Sequence, residues 1–118
     1  MRTSIVTLSL SFALALTSAC AGGVSGSFKG NGTFAKPVAP LDVKVVANKG
    51  AMTGTYTELG TARGSAPTAQ AAVGQAQRHC GDHGGTHLIM NTEPFQSGNS
   101  YKVDAACVTT GPAEGRQR

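Results

Sequence analysis

A single stretch of helical periodicity stands between runs that alternate every second residue, and this pattern restricts the fold more than any other feature of the chain. Over 68–82, Ala69, Val73, Ala76 and Cys80 recur at the three- and four-residue spacing of one helix face. Ser65 or Thr68 can cap this helix, Pro67 is tolerated in its first turn, and Gly84-Gly85 ends it. Ahead of it, Leu41, Val43, Val45 and Ala47 alternate with polar residues as in a half-buried strand, which Asn48-Lys49-Gly50 closes with turn chemistry. A Thr-rich strand with Tyr56 and Leu59 is predicted over 55–64. Gly60 and Gly64 share one face of it, where bare backbone lets another element approach. After the helix, His87–Asn91 and Tyr101–Thr109 read as strands, with a turn at 96–99. The pattern predicts an α+β domain over 41–110, with one helix on a small sheet of three to four strands in the order β-β-α-β-β.

The flanks carry no such pattern. Residues 21–40 are rich in Gly and Ser and end in a Pro-bounded stretch, which reads as a flexible tether. Its r.m.s. reach is roughly 25 Å by random-coil scaling. The tail, 111–118, lacks large apolar residues and is predicted to be disordered.

The first residues read as an export signal. Met1-Arg2 is a minimal positive start, and the apolar run from Ile5 to Leu16 is shorter than the roughly 20 residues a spanning helix needs. Leu16-Thr17-Ser18-Ala19-Cys20 then resembles a bacterial lipobox, with Thr17 departing from the usual Leu or Val. That resemblance makes 1–19 a signal peptide, Cys20 the lipid-bearing first residue of the mature chain, and 20–40 a lipidated tether. Ordinary cleavage after Ala21 is the alternative, since Ala19-Cys20-Ala21 is also an A-x-A site.

With Cys20 acylated, Cys80 and Cys107 remain as a pair, which in an exported protein reads as one disulfide. Two independent periodicities place them in one interior. Cys80 lies on the apolar stripe of the helix, and Cys107 shares a strand face with Tyr101, Val103 and Ala105. Closing this span is worth roughly 3–4 kcal/mol on the chain-entropy model, a large share for a domain with a small core. Two buried, reduced cysteines acting as small hydrophobes are the alternative.

Charge argues against nucleic acid as a partner. The formal net charge is +4, yet 41–110 balances Lys44, Lys49, Arg63, Arg78 and Lys102 against Asp42, Glu58, Asp82, Glu93 and Asp104. The excess lies in the flanks, and no basic patch is interleaved with stacking aromatics.

Three histidines lie close together in the chain. His79 and His83 are four apart on one helix flank and can chelate a metal, with His87 or Asp82 as a third ligand. The other reading is a solvated helix end, where imidazoles suit the macrodipole. No strained nucleophile elbow and no oriented acid–base pair is identifiable. The chain is not expected to be an enzyme, and no cofactor or small-molecule substrate is expected.

Tyr56-x-x-Leu59-Gly60-x-x-x-Gly64, an Ala-rich helix, Gly84-Gly85 leading into Leu88-Ile89-Met90, and a last strand ending in a cysteine resemble one known group. These are small bacterial envelope lipoproteins with a β-α-β-β core, the RcsF-like sensors of the Rcs envelope-stress phosphorelay among them. The likeness covers about 41–110 and implies a non-enzymatic, partner-binding or stress-sensing domain displayed from the outer membrane, facing the periplasm or the cell surface. Those sensors carry two disulfides, whereas this chain has cysteines for one. Ala21, after the lipid-bearing residue, resembles the outer-membrane-sorted kind.

Three function classes follow, each with its own structural mark. An exposed apolar patch favours a partner-binding lipoprotein. Convergent imidazoles favour a metal-binding envelope protein using His79, His83 and His87. An exposed disulfide favours a redox switch at Cys80–Cys107.

Overall fold

The structure, a computed structural model, describes residues 23–116. Its elements in chain order are β1 (Ser25–Gly30), β2 (Thr33–Phe34), β3 (Lys44–Val46), β4 (Thr57–Ala66), α1 (Ala69–Asp82), β5 (His87–Met90), β6 (Phe95–Ser97), β7 (Ser100–Thr109) and β8 (Glu114–Arg116). Six of the strands form one mixed sheet in the order β1-β4-β7-β5-β3, with β6 also paired to β7; β2 and β8 form a separate two-stranded ribbon. The α+β class with one helix on one sheet face is as predicted, but the sheet has more strands than the alternation suggested.

The helix begins where its sequence signals place it. Thr68 is the N-cap, its hydroxyl accepting from the Ala71 N–H at 3.2 Å. At the other end, Gly85 N–H donates to the Cys80 carbonyl and Gly84 N–H to the Gly81 carbonyl, each at 2.9 Å, with Gly84 at φ +89°. These are the paired bonds of a Schellman motif, and the positive φ explains the glycine. The buried stripe is Ala72, Ala76, Cys80 and Gly81, and Val73 packs at its edge.

Small residues set the distance between helix and sheet. A Cβ on Gly64 would run into the Ala72 carbonyl oxygen, so the missing side chain is what lets α1 seat on β4. Gly60 has a different role from the one its spacing suggested. It lies at a register shift in β4 with φ +157°, and a Cβ there would meet β1 at Lys29 and Gly30. The helix face of the sheet supplies Leu59, Ala62, Ala66, Leu88, Val103, Ala105 and Cys107 to the main core, with Val43 closing one side.

Four expectations are corrected. The segment read as a tether carries β1, which pairs antiparallel with β4 from Ser25↔Ser65 to Gly30↔Gly60. Its Gly and Ser content hid a strand whose pairing is entirely non-local. The tail likewise contributes β8, paired to β2. The strand expected over 41–47 is interrupted, because Pro40–Asp42 form a 3-10 turn and only Lys44–Val46 pair, in parallel with β5. Its expected buried face also fails: Val43 is 2% exposed, but Leu41 is 95% and Val45 44% exposed. Finally, Gln96 and Ser97 belong to β6, which returns to β7 through a two-residue turn at Gly98 (φ +62°) and Asn99.

The other face of the sheet is half covered. The connection from β3 to β4 must pass β5 and β7. On the way, Met52 packs with Val46 against Ile89, Ala106 and Val108. The half of this face nearest Ser25 is left open.

Candidate functional site

The two interior cysteines form the disulfide that both periodicities pointed to. Cys80 and Cys107 are bonded, with Cα atoms 5.4 Å apart. Both are fully buried, and Gly85 lies so close that a Cβ there would meet both sulfurs. The bond therefore joins the end of α1 to the central strand of the sheet. Cys20, the expected site of lipid attachment, lies outside the described residues.

The three histidines do not converge. Among the described residues, no three His, Cys, Asp or Glu side chains gather as a metal site would require. The His79 ring packs beside Gly26 of β1, close enough that a Cβ on that glycine would collide with it. The His83 ring stacks on Phe28 with centroids 3.7 Å apart and 14° between planes, while its Nδ1 lies 2.8 Å from the His79 carbonyl oxygen. These two imidazoles thus hold β1 against the helix end. His87 begins β5, pairs in register with Lys44 and has its Nδ1 2.9 Å from the Thr86 hydroxyl. Burial first, and then the Lys44 ammonium, hold its pKa below the ordinary 6.5.

Exposed apolar side chains mark two opposite ends of the sheet. One end holds the start of β1, the end of β4 and the β6–β7 hairpin, as the pairs Ser25↔Ser65, Ser65↔Lys102 and Phe95↔Lys102 require. Val24 and Phe95 lie here, 54% and 48% exposed. Between β1 and the hairpin is a groove of about 440 Å³ on the open sheet face, with Ser27, Arg63, Lys102 and Asp104 on its floor and Phe95 on its wall. Arg63 Nε lies 3.6 Å from the Asp104 carboxylate, which in turn accepts from the Asn91 amide at 3.1 Å. The opposite end and the β3 side expose Leu41, Val45 and, at 36%, Tyr56.

Neither surface was singled out from the sequence. The groove depends on β1, whose pairing no local pattern announces. Phe95 was within reach, because a two-residue Gly98-Asn99 turn before a strand implies a partner strand just upstream.

No protein-family model and no curated protein matches the chain significantly. A crystal structure of the Francisella virulence factor FvfA is similar to it, with a TM-score of 0.55 and 13% sequence identity, over 72% of this chain and 97% of that one. At that identity the likeness concerns the fold alone: FvfA and this chain share an α+β architecture.

Proposed function

We propose that this chain is a non-enzymatic envelope lipoprotein of the RcsF-like kind, held to the outer membrane through Cys20, whose folded domain binds another envelope protein. The observation that carries the partner-binding reading is the sheet edge at β3. This strand bonds to β5 on one side, and among the described residues no strand meets its other edge. Val45 stands exposed on the strand and Leu41 in the 3-10 turn just before it. Single exposed apolar residues are ordinary on protein surfaces. An unpaired edge with one of them on the strand and another in the adjoining turn is a template for another chain. An extended partner segment adding to β3 would gain main-chain hydrogen bonds there, and the two side chains would supply selectivity. Lys44, within the strand, disfavours indiscriminate pairing.

The metal and redox alternatives have less support. His79 and His83 are engaged with β1, and His87 stands apart from them. The disulfide is fully buried, which restricts access by a reductant. The test is a photo-crosslinking residue placed at Leu41 in living cells, with Gln70 on the exposed side of α1 as control. A discrete protein adduct at position 41, absent at 70 and lost when Val45→Asp is added, is the expected result. Identical adducts at both positions, or none at either, would overturn the reading.

A further inference from the structure

The corrected start of the fold changes how the domain must sit if Cys20 is acylated. From Cys20 to Ser25 there are only five residue steps, which fully extended span about 18 Å and as a flexible chain reach roughly 12 Å r.m.s.. A tether of twenty residues would leave the domain free to tumble above the bilayer. Five do not. The first strand residue must stay close to the lipid surface, and the elements beside it must stay there too.

Those elements are set by strand register. Ser25 pairs with Ser65, Ser65 with Lys102, and Lys102 with Phe95. The end of the sheet brought to the membrane therefore presents Val24 and Phe95, two of the large apolar side chains exposed on the described surface. The charges at this end nearly cancel. Arg63 is paired with Asp104, and the exposed Lys102 is offset by the exposed Glu93, two residues before Phe95. Contact here would draw on apolar burial next to a short anchor and not on attraction to anionic lipid.

We infer that the domain rests on the bilayer with its Ser25 end down, Val24 and Phe95 entering the boundary between headgroups and acyl chains. The β3 edge at Lys44 and the His87 end of β5 then point away from the lipid. This inference rests on the anchoring proposed above and deepens it: the anchor also orients the partner-binding edge.

The experiment uses the protein extracted from bacterial membranes and added to phosphatidylcholine vesicles, with a nitroxide on Asn99→Cys in the β6–β7 turn or on Thr53→Cys towards the other end. With Cys20 acylated and Cys80 bonded to Cys107, each new thiol is the one free to react. Collision with oxygen relative to a water-soluble nickel complex should be at least several-fold higher at position 99 than at 53. Addition of anionic lipid should leave that ratio unchanged, and the pair Val24→Asp and Phe95→Asp should bring position 99 down to the value at 53. A vesicle-bound protein with equal ratios at both positions would overturn the orientation. A protein that does not associate with the vesicles at all would overturn the anchor, and the inference with it.

Discussion

Two glycines of this chain have opposite effects on its stability, and the difference is a matter of where a methyl group would go. On Gly64 it would strike the Ala72 carbonyl oxygen, and on Gly74, in the middle of α1, it would meet open space. Gly64→Ala should therefore cost about 1–3 kcal/mol through overpacking, whereas Gly74→Ala should gain about 0.5–1 kcal/mol through helix propensity. Urea denaturation midpoints moving in opposite directions would bear this out, and parallel shifts would contradict it. His87 carries a second residue-scale effect. Its folded pKa lies below 6.5, so in the acid window the unfolded chain binds more protons at this site. Its contribution is fully present above about 6.5, the unfolded reference, and is lost as the pH falls through the lower folded value. Wild type should thus lose more stability between pH 7.5 and 5 than His87→Gln does, and Lys44→Ala should reduce the loss by removing the repulsion. Equal pH dependence in wild type and His87→Gln would contradict the assignment.

The elements differ in how far the sequence discloses them, and the difference follows from whether their information is local. α1, β5 and β7 carry it in their own periodicity and end signals, and the structure places all three within a residue or two of the expected bounds. β1 does not: Ser-Gly-Ser-Phe-Lys-Gly has the composition of a linker. It becomes a strand because Gly60 lets it approach β4 and because His79 of α1 and His83, the helix C-cap, receive its Gly26 and Phe28. The run from Leu41 misled for a related reason. Alternation predicts which residues share a face, but at a sheet edge that face is not covered, and Pro40 starts a turn where the strand was expected. The disulfide was legible because both cysteines sit in elements of the local kind. It ties α1 to the central strand, so Cys80→Ala with Cys107→Ala should lower stability by roughly 3–4 kcal/mol. An unchanged denaturation midpoint in the double variant would show that packing around Gly85, and not the cross-link, holds these elements together.

For the molecule as a whole, the proposed anchoring at Cys20 organises the rest. With β1 beginning at Ser25, the folded body extends almost to the expected lipid-bearing residue, and its two exposed apolar regions lie at different places on the sheet. The region nearest the chain start suits the bilayer, and the β3 edge suits an extended partner. The bilayer-facing role depends on the proposed lipid at Cys20, so the direct measurement is a non-reducing intact mass of the protein extracted from bacterial membranes. The expected mass begins at Cys20, carries added acyl chains and is two hydrogens short of the reduced thiols. A chain beginning at Gly22 without lipid would contradict the anchor and remove the basis for the bilayer-facing surface.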